Sequence, residues 1–113
     1  MSYPRYEIYR DAKLEYRFRL KAAGNYETIL HSSEGYKNKA DCDHAVAICQ
    51  ENAPFEQYYD RLTSSNGQYY FTLRAKNGKT IGMSELYNSF NAMEGGISAV
   101  KRDGPTKTVV YLP

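Results

Sequence analysis

Apolar and polar positions alternate along two stretches of this chain, and the two stretches copy each other. Residues 16–23 read YRFRLKAA and residues 69–76 read YYFTLRAK. Tyr16/Tyr69, Phe18/Phe71, Leu20/Leu73 and Ala22/Ala75 are identical at every second place. The places between them, Arg17/Tyr70, Arg19/Thr72, Lys21/Arg74 and Ala23/Lys76, all differ. Successive side chains of a strand point to opposite faces. The pattern therefore predicts two strands that share an apolar, buried face and diverge on the other.

The flanking residues extend the copy. Tyr6 and Tyr59 each stand ten residues before a matched strand, and SEGY (33–36) answers SELY (84–87). The offset falls from 53 in the strand to 51 after it. The first copy thus carries two extra residues, one expected in the AAGNYE turn and one within TILHSS, where it would make a bulge. Asn-Gly lies on both sides of the second strand, in SSNGQ and KNGK. Asn-Gly is the strongest short hairpin signal, because both residues tolerate positive φ. Each copy then reads as three strands, at 5–10, 16–23 and 27–33, and at 57–63, 68–76 and 79–84.

A helix follows each meander. Asn38 and Ser89 are good N-caps in equivalent places, and Asp41 completes an approximate capping box after Asn38. Cys42, Ala45, Val46 and Cys49 fall at helical spacing, as do Met93, Gly96, Ile97 and Val100. Pro54 and Pro105 close the helices, with Gly104 at the second C-cap. Gly95-Gly96 inside a helix costs about 2 kcal/mol relative to alanine, which close approach to the sheet or the twin helix would explain. Extended pieces follow, FEQYYDRLT and TKTVVYLP. A three-stranded meander cannot close a core alone. The expectation is an α+β fold in one domain, 1–113, built of two tandem repeats (about 5–54 and 55–113). They would share one antiparallel sheet with both helices on one face.

The stretches YRFRLKAAGNYETILHSSEGY, YYFTLRAKNGKTIGMSELY and GGISAVKRDGP closely resemble the YegP-like proteins, small and mostly bacterial proteins of uncharacterised function. The resemblance covers roughly residues 5–110. It implies tandem β3-α-β repeats in one sheet, with the terminal strand of each repeat exchanged onto the other half. Single-repeat relatives reach this assembly as dimers, so this chain resembles a fused dimer and is expected to be a monomer. The family brings no catalytic residues. The chain departs from its pattern in the extra residue of ILHSSEGY and in DCDHAVAICQ, which replaces a glycine-containing helix.

Composition narrows the chemistry. The chain has 113 residues, 25% charged and 42% apolar, with 12 tyrosines and no tryptophan. A net charge of +2 is too weak to imply nucleic acid or an anionic membrane by itself. Val109–Leu112 is too short to span a bilayer, and MSYPRYEIYR lacks the apolar run of a signal peptide, so a cytoplasmic location is expected. Cys42 and Cys49 lie about 10.5 Å apart along one helix, too far to pair within it. They read as small core thiols, since Met93 and Val100 hold the same places in the other copy.

No catalytic signature is present. Asp41 and His44 in DCDH are a single i, i+3 pair, with His31 the only other histidine, so no metal and no cofactor are expected. Cys42 or Cys49 with His44 would need an exposed, polarised thiol. Glu34 and Glu85 match across the copies and offer the sole paired carboxylates; bonding to the following turn or helix is their plainer role. Gly95-Gly96 does not follow a strand in a phosphate-cradling register. The divergent strand face remains. Arg17, Arg19 and Lys21 with Tyr70, Arg74 and Lys76 would form a basic, tyrosine-bearing stripe if the two central strands adjoin. The reading is a small non-catalytic binding or interaction module, with unknown ligand and no membrane partner. Its alternative is a single-stranded nucleic-acid or polyanion binder acting through that stripe. An enzyme using Glu34 or Glu85 as one of a pair of carboxylates comes last.

Overall fold

The computed structural model describes residues 2–113. Seven strands form one sheet: β1 (Arg5–Arg10), β2 (Tyr16–Lys21), β3 (Thr28–Ser32), β4 (Tyr59–Thr63), β5 (Tyr69–Arg74), β6 (Thr80–Met83) and β7 (Val109–Tyr111). Two helices complete the fold, α1 (Lys39–Asn52) and α2 (Phe90–Asp103), with a 3-10 turn at Glu56–Tyr58. The strand order is β4-β5-β6-β3-β2-β1-β7. The two meanders therefore meet at β3 and β6, which pair antiparallel through His31 with Met83 and Ser32 with Gly82. Each strand that follows a helix lands on the other half: β4 lies on β5, and β7 returns to β1. One expectation needs correcting. β7 runs parallel to β1, so the sheet is mixed rather than wholly antiparallel. α2 ends beside the start of β1, where the Tyr6 hydroxyl meets the Gly104 carbonyl and the Thr106 hydroxyl donates to the Pro4 carbonyl, so β7 sets out from the same end as β1 and runs in the same direction.

The matched letters are the core. Phe18, Leu20, Phe71 and Leu73 are wholly buried and point to one face, beside Tyr6 and Ile8 of β1 and Tyr59 of β4. Burial of each such aliphatic or phenyl side chain contributes about 1.5–3 kcal/mol. Both helices cover that face with the predicted positions: Cys42, Ala45, Val46 and Cys49 from α1, and Met93, Gly96, Ile97 and Val100 from α2. The helix ends are tied down in matching fashion. The Tyr6 hydroxyl donates to the Gly104 carbonyl (2.8 Å) and the Tyr59 hydroxyl donates to the Ala53 carbonyl (2.6 Å). Gly104 is right-handed, not left-handed, and serves packing: a Cβ there would lie 2.4 Å from the Ala53 Cβ.

Local details correct the finer sequence readings. The β2–β3 and β5–β6 ladders both shift register at the same place, after Leu20 and after Leu73. The bulge is thus common to both copies and is not made by an extra residue. Phe18 N–H donates to Ser32 Oγ, and Phe71 N–H donates to Ser84 Oγ. Ser32, not Ser33, is therefore the counterpart of Ser84, and the second extra residue sits in the loop after β3. In the Asn-Gly turns only Gly67 and Gly78 take positive φ (82° and 89°). The Gly78 N–H bonds the Ala75 carbonyl, giving a type I turn closed by a left-handed glycine. Ser89 caps α2 by accepting from the Ala92 N–H (3.0 Å), whereas the Asn38 side chain makes no cap bond and meets Asp41 instead.

Candidate functional site

The face of the sheet opposite the helices is uncovered. Arg19, His31, Met83 and Thr72 stand in register across it, on β2, β3, β6 and β5. The two central strands do not adjoin, because β3 and β6 lie between them. Three strand spacings amount to about 14 Å. The expected stripe is accordingly two separate groups. Arg17, Arg19 and Lys21 belong to one half, and Tyr70 and Arg74 to the other. Lys76 is exposed beyond the end of β5, in a hollow of about 460 Å³ shared with Glu51, Asn52, Phe55, Gln57 and Tyr58.

The arginines of these groups carry carboxylate partners. Arg17 binds Asp11 (2.7 Å), Arg19 binds Glu7 (2.8 Å) and Arg74 lies against Asp60 (2.8 Å), with a further bond from Arg74 Nη2 to the Gln57 carbonyl. Lys21 donates to the Thr28 hydroxyl. Their side chains nonetheless stay about a third exposed, at 33% for Arg17, 34% for Arg19 and 31% for Arg74. The alternation of β2 placed these cations outward; it could not show the acids of β1, β4 and the first turn that neutralise them.

β1 supplies what the sequence reading missed. Glu7 is buried on the uncovered face, between Arg5 (2.7 Å) and Arg19. Burial pushes its carboxyl up, but the hydrogen bonds from Arg19 and Arg5 prevail and hold it below its ordinary value of 4.5. Arg19 lies over the Tyr9 ring (4.8 Å) and Arg5 over the Tyr3 ring (4.5 Å). Tyr3 in turn packs on Tyr26 (4.6 Å). The result is a ladder of rings and guanidinium groups, Tyr9–Arg19–Glu7–Arg5–Tyr3–Tyr26. The signal was the spacing Arg5, Glu7, Tyr9, a polar register opposite the buried Tyr6 and Ile8.

The other candidates separate. Cys42 and Cys49 are buried free thiols; burial pushes Cys42 up to about 11 and Cys49 higher still. Asp41, His44 and Glu34 line a groove of about 400 Å³ between α1 and the β5–β6 hairpin, with Tyr36 and Lys79. The Tyr36 hydroxyl is buried there without a hydrogen-bond partner, and burial, then Glu34, push its phenol up to about 12. Glu34 pairs with Lys79 (3.3 Å), while Glu85 is exposed and does not line this groove. Among the described residues no three or more His, Cys, Asp or Glu side chains gather as a metal site would require. No helix among them is long and apolar enough to cross a membrane.

Comparison with known proteins now places the architecture. Residues 11–60 and 64–110 each match the family described as a domain of unknown function, DUF1508. The chain belongs to the DUF1508 family. The double match fits the two tandem repeats seen in the sheet. The DUF1508 relatives include the UPF0339 protein YegP of Escherichia coli O157:H7, 41% identical over 104 residues, spanning 92% of this chain and 93% of that protein. A UPF0339 protein of Acinetobacter baylyi is 43% identical over 107 residues, 95% of either chain. The solution NMR structure of YegP from E. coli, a protein of unknown function, superposes with a TM-score of 0.87 at 40% identity, covering 94% of this chain and 90% of that one. A UPF0339 protein of Shewanella oneidensis gives 0.88 at 36% identity, with 95% and 89% covered.

Proposed function

We propose that this DUF1508 protein is a non-catalytic binding module that presents the helix-free face of its sheet to a ligand. The observation that supports this is the ladder Tyr9–Arg19–Glu7–Arg5–Tyr3–Tyr26. Its cations are fixed before any ligand arrives, by Glu7 below and by rings beside them. Side chains held in one geometry lose little freedom on binding, which favours recognition. Glu7, Asp11 and Asp60 on this face are paired with guanidinium groups, which favours a binding role over acid–base work.

A second reading makes the ligand a single-stranded nucleic acid or another polyanion, held by Arg17, Arg19, Lys21, Tyr70, Arg74 and Lys76. Alternating rings and cations favour it, since bases stack on such surfaces while cations hold phosphates. Lys21 and Lys76 are the cations to test, as neither holds a carboxylate in place. The experiment compares the protein with its Lys21→Glu/Lys76→Glu and Tyr9→Ala/Tyr26→Ala variants as baits in an extract of the native cell. Bound protein, RNA and metabolite are read by mass spectrometry. A species kept by the wild type and lost from the tyrosine variant supports the module. Salt-dependent retention of RNA, lost from the lysine variant, supports the second reading. Identical profiles for all three baits remove both.

A further inference from the structure

β1 and β4 are the same strand of two repeats, yet their outer edges differ. β7 closes the edge of β1, pairing Tyr6 with Val109, Glu7 with Val110 and Ile8 with Tyr111. The Tyr6 N–H donates to the Thr108 carbonyl (2.9 Å), and the Leu112 N–H donates to the Ile8 carbonyl (2.8 Å). Arg5 to Ile8 are all buried as a consequence. β4 is the other end of the sheet, and among the described residues no strand lies outside it. Arg61, Leu62 and Thr63 are exposed.

We propose that the β4 edge at Arg61–Thr63 docks an extended segment of a partner protein, rich in β-branched residues and bearing a tyrosine, as a further parallel strand. The chain's own β7 shows the chemistry that fits. Tyr69 and Phe71 direct their N–H groups to Tyr87 and Ser84, away from β4. The facing Thr63 and Arg61 accordingly turn their amide groups outward, as Tyr6 and Ile8 do toward β7. The Tyr59 N–H is already bonded to the Glu56 carbonyl in the 3-10 turn. Docking therefore begins beyond it and runs along Arg61 to Thr63.

The side-chain surroundings match too. Tyr111 rests on α1, where its hydroxyl donates to Asp43 Oδ1 (2.9 Å) and its ring meets Lys39 Nζ (3.8 Å). The equivalents on α2 are Glu94 and Phe90. Phe90 is 49% exposed and Leu62, on the other side of the edge, is 39% exposed. A tyrosine opposite Arg61 would thus find a carboxylate to donate to and a ring to pack on. A second copy of β4 fits less well. Arg61 is held by Glu56 and Glu94, and in a pair of β4 strands the two Arg61 guanidinium groups would crowd each other, like charges that oppose the pairing. Strand addition from outside supplies main-chain bonds for affinity and side-chain contacts for selectivity.

The test titrates the full chain, labelled for NMR, with the synthetic peptide TKTVVYLP, the sequence of residues 106–113. Saturable amide shifts at residues 60–63, with Phe90 and Glu94, are expected. The same peptide N-methylated at its second valine, whose N–H would face β4, should bind at least about tenfold more weakly, as loss of one main-chain bond implies. Thr63→Pro should weaken the unmodified peptide alike while leaving the shifts of β1 and β2 in place. Shifts confined to Arg5–Arg10 would mean exchange with β7 and would overturn the proposal. So would the absence of shifts up to the peptide's solubility limit. Concentration-dependent shifts at 60–63 without peptide would assign the edge to a second copy and overturn it as well.

Discussion

Asn52 and Asp103 hold equivalent places in the last turns of the two helices, and they use them in opposite senses. Asn52 Nδ2 donates to the Arg74 carbonyl (2.9 Å), at the end of β5. Asp103 Oδ2 accepts from the Ala23 N–H (3.1 Å), just past β2. Each helix thereby staples itself to the central strand of the other repeat. Both side chains are buried, at 2% and 3% exposure. Asp103→Ala strips the part-buried Ala23 N–H of its acceptor, and its expected cost is about 0.5–1.5 kcal/mol. Asn52→Ala leaves a carbonyl, which has two lone pairs and tolerates the loss better. Urea unfolding should rank Asp103→Ala below Asn52→Ala, and equal midpoints would refute the distinction.

The adjacent glycines of α2 divide the same way. A Cβ on Gly95 meets nothing within 4 Å, whereas one on Gly96 would lie 2.3 Å from the Tyr87 hydroxyl oxygen and 3.2 Å from Phe71 Cε2. Close approach thus explains Gly96 and leaves Gly95 without a packing reason. Gly95→Ala should stabilise the protein by about 0.5–1 kcal/mol through helix propensity alone. Gly96→Ala must displace Tyr87 and should destabilise by about 1–3 kcal/mol. Thermal midpoints moving in the same direction for the two variants would count against this assignment.

Leu14 offers a stabilising change in the first turn. It occupies the place that Gly67 holds in the second copy: the Leu14 N–H bonds the Asp11 carbonyl as the Gly67 N–H bonds Ser64. Its φ is 64°, and its side chain is 64% exposed, so no packing repays the left-handed backbone. Leu14→Gly should raise stability by about 1 kcal/mol. A denaturation midpoint unchanged or lowered would show that the leucine makes contacts of greater worth.

How much of this was legible beforehand depended on whether the signal was local. Phe18, Leu20, Phe71 and Leu73 declared the covered face because strand alternation is fixed by the pleat. The positions of α1 and α2 followed from Pro54, Pro105 and the helical spacing of Cys42 to Cys49. The resemblance supplied the exchange of terminal strands. Strand order was not legible. Nothing in the alternation of Arg17, Arg19 and Lys21 says that β3 and β6 stand between them and Arg74. The parallel sense of β7 depends on where α2 ends, beside the start of β1, not on the residues Val109–Tyr111. Nor could charge pattern reveal that Glu7, in a strand with Tyr6 and Ile8, is buried by two arginines on the side without helices.

The thiols provide a check on the core. Cys42 and Cys49 are wholly buried, and burial raises both above the ordinary thiol range. At about pH 8 a free thiol would be partly ionised and reactive; these should stay inert while the protein is folded. An aromatic disulfide reagent should modify neither cysteine in native buffer over minutes and both in denaturant. Rapid native labelling of Cys42 would place α1 away from the sheet.

Acid sensitivity follows from Glu7. Its folded-state pKa is depressed, so its contribution to stability is present above the unfolded value and is lost as pH falls through the folded one. Asp11, Glu56 and Glu94 are depressed too, Asp11 by Arg17 and the two glutamates chiefly by Arg61, Glu56 down to about 2, but they are more exposed and contribute less. Stability should therefore hold near neutrality and decline below the ordinary glutamate value of 4.5. Glu7→Gln removes the charge that Arg5 and Arg19 surround, at a cost of about 1–3 kcal/mol at about pH 7. The variant should lose less on further acidification than the wild type does, because its main titrating partner is gone. Urea unfolding at about pH 7 and about pH 3 measures both quantities. If the Glu7→Gln profile runs parallel to the wild type, protonation of other carboxylates governs the acid limb and the buried cluster is not its source.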